Sequence, residues 1–182
     1  MKQLSLFLTI ILSTILLSCA TTKSTSTIYS EDYDKIKDQT TITIFPHGVV
    51  RVPGKWVKKK KYEVSEQYFY VGKDSVSIAI ALQQWNKYEF SYNNPEVTPE
   101  NFVRKFYEWD ANYLKEKTNG QLRLIKENKE KQYLVWNLNS ELGNDYFLFG
   151  LKGKTAYNLN IKTKKWNEEE KIAFLEKVFF GE

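Results

Sequence analysis

The side chains best able to do chemistry in this chain are a single thiol, Cys19, a single imidazole, His47, a run of lysines and a triplet of glutamates. His47 is the one side chain whose ordinary pKa lies near neutrality, which makes it the candidate general base. It follows Phe45-Pro46 and precedes Gly48, so it belongs to a loop or strand end. Catalysis by histidine needs a nucleophile within hydrogen-bond reach and an orienting carboxylate. The sequence has no Gly-x-Ser-x-Gly turn and no other nucleophile motif, so a turn or surface histidine is the expectation and a hydrolase using His47 the alternative. With one histidine and one cysteine, a zinc site would depend on carboxylates. Glu168-Glu169-Glu170 has a sufficient explanation at a helix start, and there is neither a calcium loop nor a phosphate-cradling glycine pattern. No metal and no cofactor is expected.

The strongest local charge signal is Lys58-Lys59-Lys60-Lys61, with Arg51 and Lys55 just before it, and these six residues are the candidate binding surface. Such a run can touch anionic lipid, where each lysine near the surface contributes about 1 kcal/mol, or steer an acidic partner. The structural alternative is an edge strand that lysines guard against aggregation.

Cys19 closes an N-terminal segment made of Lys2 and an apolar stretch from Leu4 to Leu17. The stretch is long enough for an export signal and shorter than the roughly 20 residues that span a bilayer. Leu16-Leu17-Ser18-Cys19 resembles the end of a bacterial lipoprotein signal, with a small residue before the cysteine and the larger Leu17 as a departure. The resemblance implies removal of residues 1–18, lipidation of Cys19 and anchorage to the inner or outer membrane of the cell envelope. An ordinary secretory signal ending near a chance cysteine is the alternative. Lipidation would consume the chain's only thiol and leave none for a disulfide or a thiolate metal site.

Thr21-Thr22-Lys23-Ser24-Thr25-Ser26-Thr27 is polar and aperiodic, so residues 19–39 are expected as a tether, with a short helix over 31–39 as the alternative. Residues 40–182 are expected to form one domain. A net charge of +5 over 182 residues is modest and does not call for nucleic acid, which an exported protein would rarely meet.

The elements that must position any site follow from periodicity. Strands are expected at 41–45, within 62–71 and at 75–82, with a Pro53-Gly54 turn that brings Trp56 over the core. In the third of these, Val76, Ile78, Ile80 and Leu82 share one face while Ser77, Ala79 and Ala81 line the other, so something should pack closely over a central strand. A helix is expected from Thr98-Pro99-Glu100 to Asn119-Gly120. Its stripe Phe102, Phe106, Trp109 and Tyr113, flanked by Val103, Tyr107, Asp110 and Leu114, is expected to be a core face. Hairpin strands at 122–125, 133–138, 146–151 and 155–159 follow, then a helix capped by Asn167. The fold class is α+β, an antiparallel sheet flanked by a long central helix and a C-terminal helix.

This order, with Pro53-Gly54-Lys55-Trp56, the helix from Thr98 and the closing Phe174-Leu175-Glu176-Lys177-Val178-Phe179, resembles the family that groups the photosystem protein PsbP with the import factor Mog1. The resemblance implies a central antiparallel sheet between helices and action by binding partners, and it carries over no site residue. The sequence therefore points to a membrane-tethered envelope lipoprotein that binds a protein partner or a ligand without catalysis. The alternatives are an envelope hydrolase using His47 and a structural or immunity-type lipoprotein. Oligomeric state is left open.

Overall fold

A computed structural model of the chain describes residues 27–182. Cys19, the signal and the Ser/Thr segment up to residue 26 lie outside the described residues. Among the described residues no helix is long and apolar enough to cross a membrane.

The chain forms ten strands and two α-helices among these residues, in the α+β class expected. Strands β1 (Ile28–Asp34), β2 (Gln39–Phe45) and β3 (Gly48–Pro53) make a three-stranded antiparallel sheet. A second, seven-stranded antiparallel sheet contains β4 (Val57–Tyr62), β5 (Gln67–Val71), β6 (Ser77–Gln84), β7 (Gln121–Asn128), β8 (Tyr133–Ser140), β9 (Gly143–Lys152) and β10 (Thr155–Lys162). Its order is β4-β5-β6-β10-β9-β8-β7, so the β6–β10 pair joins the two halves of the chain. Helix α1 spans Phe102–Thr118 and α2 spans Glu168–Phe180.

Period-2 alternation divides the large sheet between two cores. One face, with Ile78, Ile80, Leu82, Val135, Leu148 and Leu159, packs against the small sheet and the Leu175, Val178 and Phe179 side of α2. The opposite face, with Leu134, Trp136, Leu138, Phe147, Phe149 and Leu151, takes Phe102, Phe106 and Ala111 of α1. The molecule is thus layered, with the seven-stranded sheet in the middle.

Three expectations change. Residues 28–34, expected as tether, pair along their whole length with β2. The segment lacks an apolar alternation. It is held by this ladder and by Tyr29, which stacks on Tyr68 at 4.9 Å and shares a 3.0 Å hydroxyl contact with Tyr70. Residues 28–34 are therefore part of the small sheet, and the alternative short helix over 31–39 is replaced by β1 and a turn. Helix α1 starts at Phe102, because Asn101 turns its side chain back to accept the Thr98 N–H (2.9 Å) and the residues between form a turn. The expected single sheet is two, connected at Thr40, whose hydroxyl donates to the Gly54 carbonyl (2.7 Å) and accepts the Trp56 N–H (3.0 Å).

Other local readings hold. Trp56 is buried and its indole N–H donates to the Pro53 carbonyl at 2.7 Å. Asn119 ends α1 in the left-handed region. Asn167 and Glu170 form a capping box at the start of α2, and Glu168 is bound by Arg123 and by the Tyr146 hydroxyl.

Candidate ligand-binding cavity

Helix α1 lies over β7, β8 and β9. It leaves the same face of β6 and β10 without a covering helix, and there the side chains are small or polar: Ala79, Ala81 and Gln83 on β6, Asn158 and Asn160 on β10. Ala79 and Ala81 are nevertheless buried, as expected, and a cavity of about 560 Å³ lies beside Ala81. Its floor contains Ala81 and Asn158, which are direct partners in the β6–β10 register. The flank of α1 contributes Phe106, Trp109, Asp110 and Tyr113, while Val64 and Ser65 close it from the β4–β5 turn and Lys87, Tyr88 and Glu89 from the segment after β6.

The aromatic wall is held from behind. Phe106 stacks on Phe149 at 4.2 Å, Tyr88 lies 4.6 Å from Phe106, and Phe90 lies 5.2 Å from Trp109. These contacts fix the rings before any occupant arrives, which lowers the entropy cost of binding. Trp109 and Tyr113 are nevertheless 39% and 55% exposed. The aromatic stripe is thus a core face only at Phe102 and Phe106, and its second half is the mouth of a cavity. The reason is geometric: the helix axis runs over one half of a sheet too wide for a single helix to cover.

The polar lining mixes donors and acceptors, with Ser65, Gln83, Lys87, Tyr88 and Tyr113 beside Asp110, Glu89 and Asn158. The Asn158 Oδ1 is enclosed and has no hydrogen-bond partner. Burial pushes the Asp110 carboxyl up to about 6, and no ion pair to Asp110 forms among the described residues. The Tyr88 hydroxyl is raised as well, first by burial and then by the charge of Asp110. Lys87 lies over the Tyr92 ring, with its Nζ 5.6 Å from the centroid. Such a site can receive hydrogen-bond donors and positive charge, and its rings can cover an apolar body. Trp109, Tyr113 and Ala81 stand out in the sequence, whereas Asp110, Tyr88 and Asn158 do not announce themselves there as site residues. The available signal was an acid at Asp110 inside an aromatic helical stripe, four residues from Phe106 and three from Tyr113.

The residues singled out from sequence lie elsewhere. His47 occupies the β2–β3 turn, half-buried, with its backbone carbonyl accepting the Thr155 hydroxyl at 2.7 Å. Its Nδ1 is enclosed without a partner, burial lowers its pKa, and the charge of Glu66 opposes that shift without a hydrogen bond. It does not line the cavity. The lysine run is β4, an edge strand, with a bulge between Lys58 and Lys60. Lys58 covers the Tyr29 ring at 3.7 Å, Lys60 donates to the Tyr62 hydroxyl at 2.6 Å, and Lys61 pairs with Glu63 and Glu66 at 2.7 Å each. Lys59 is exposed. Lys55 lies over Tyr33, and Arg51 belongs to β3 in the other sheet, beside Gly181. The six basic residues are accordingly spread over two sheets, and several are engaged by neighbouring rings and carboxylates.

No family model matches the chain, and a search of curated proteins finds no match. Among solved structures, the solution structure of the cyanobacterial PsbP protein CyanoP from Synechocystis sp. PCC 6803 is similar. The identity is 9%, the TM-score is 0.47, and the likeness covers 87% of this chain and 93% of that one.

Proposed function

We propose that this chain is a lipid-anchored protein of the bacterial cell envelope whose domain binds a small organic ligand, without catalysis, in the cavity beside α1. The observation that carries the binding part is a cavity of about 560 Å³ at whose mouth Trp109 and Tyr113 stay exposed beside Asp110, an acid with no ion pair among the described residues. The aromatic mouth at Trp109 and Tyr113 supplies apolar area of the kind that ligand pockets use. These features favour a small ligand over a protein partner as the occupant.

Support for the anchor comes from Leu16-Leu17-Ser18-Cys19 alone. Replacing Cys19 with Ser is expected to abolish labelling by radioactive palmitate and to release the protein from membranes. Persistent label would overturn the anchor. For the cavity, thermal unfolding of the full chain in detergent is measured against fractionated small-molecule extracts of bacterial envelopes. At least one fraction is expected to raise the melting temperature of the unaltered chain and not that of Trp109→Ala. If every fraction leaves the unaltered chain unchanged, the ligand reading fails.

A further inference from the structure

We infer that the occupant of this cavity is an organic amine whose ammonium group pairs with Asp110 and whose apolar body lies against Trp109 and Tyr113. The inference rests on the reading of the cavity as a ligand site and assigns the chemical class of the ligand.

Charge balance decides the class. The cavity lining brings together two carboxylates, Asp110 and Glu89, and one cation, Lys87. Lys87 forms no ion pair among the described residues and sits over Tyr92, so Asp110 keeps its charge uncompensated. An anionic ligand would add like charge beside a largely desolvated carboxylate, where water screens poorly. A neutral ligand would displace water from Asp110 and leave its charge without a partner. An ammonium ion supplies the missing counter-charge and several N–H donors at once.

The walls favour the same class. Tyr88, Trp109 and Tyr113 present aromatic rings, and such faces attract cations within about 6 Å of their centroids. The volume falls in the roughly 300 to 1,000 Å³ range of small-molecule sites, so the cavity has room for more than the ammonium head. The titratable groups that share the cavity lining with Asp110 are Lys87, Tyr88 and Glu89 from the segment after β6 and Tyr113 from α1 itself, with none supplied by the sheet floor.

The test uses the full chain, nitrogen-15 labelled, in detergent micelles, with the Trp109 indole N–H resonance as the reporter. Benzylamine, benzyl alcohol and benzoate, matched in size and different in charge, are titrated separately. Benzylamine is expected to move the resonance saturably, at least ten-fold more tightly than either analogue. Asp110→Asn is expected to weaken benzylamine at least ten-fold and to leave benzyl alcohol unchanged. In the unaltered chain, benzylamine is expected to bind several-fold more weakly at pH 5 than at pH 7.5, a readout independent of whether the variant folds. If benzyl alcohol or benzoate binds as tightly as benzylamine, or Asp110→Asn leaves benzylamine unaffected, the amine assignment falls while the cavity remains a ligand site. If none of the three moves the resonance, both the amine assignment and the ligand reading fall.

Discussion

Phe106 of α1 stacks on Phe149 of β9 with ring centroids 4.2 Å apart and planes 14° apart. Phe149 is in turn the register partner of Asn158, the partnerless acceptor on the cavity floor. One contact therefore ties the helix to the sheet and marks the line at which helical cover gives way to the cavity. Phe106 thus belongs at once to a core pair and to the cavity wall.

Phe106→Ala removes that stack and enlarges the cavity into the core. A loss of about 3 to 5 kcal/mol in unfolding free energy is expected, the usual cost of truncating a buried phenylalanine. Urea unfolding followed by tryptophan fluorescence measures it. A loss below about 1 kcal/mol would mean that the pair does not hold α1 in place.

Asp110 gives a pH dependence whose sign is opposite to that of a salt-bridged acid. Its pKa rises on folding to about 6 through burial, so between about pH 4 and pH 6 the native state holds the proton more tightly than the unfolded chain. Stability contributed by this group is therefore lost as pH increases through that window. Asp110→Asn is expected to raise the urea midpoint at pH 7, by the equivalent of roughly 1 to 3 kcal/mol, and to have little effect at pH 4. A midpoint lowered at pH 7 would show that the carboxylate has a stabilising partner.

Gly150 on β9 lies beneath the ring of Phe179, and a Cβ placed on it would collide with that ring. Phe179 belongs to the face of α2 that fills the other core. Gly150→Val is expected to destabilise by about 1 to 3 kcal/mol through overpacking. Pairing it with Phe179→Leu should return part of the loss, because the two changes meet at one contact. Strict additivity in chemical unfolding would argue against the close approach.

The α2 cap offers a smaller effect. Asn167 accepts the Glu170 N–H at 2.9 Å, while Glu170 accepts the Asn167 N–H at 2.7 Å. Asn167→Ala is expected to cost about 1 kcal/mol, read as a lower thermal midpoint. Asn167→Asp should keep most of the stability, since an aspartate can make the same bond and favours a helix N-terminus.

Elements whose signals are local are legible along the chain. Asn167 with Glu170 announces a helix start, Asn119-Gly120 announces a helix stop, and the closely spaced β-branched and aromatic runs after residue 121 announce hairpins. Alternation along β6 also told which of its residues share a face, because side chains on a strand alternate whatever lies opposite them. Strand β1 was illegible because Ser30, Glu31 and Asp32 carry no apolar alternation; pairing with β2 decides its state. Helical spacing likewise grouped Phe102, Phe106, Trp109 and Tyr113 without stating the width of the surface beneath them. Only the tertiary structure decided that α1 covers β7 to β9, so that Phe106 is buried while Trp109 stays at an open mouth and Asp110 is desolvated beside it. Periodicity fixes direction around an element's own axis. What that direction meets depends on residues far away in sequence, such as Ala81 and Asn158, and on their meeting in one sheet.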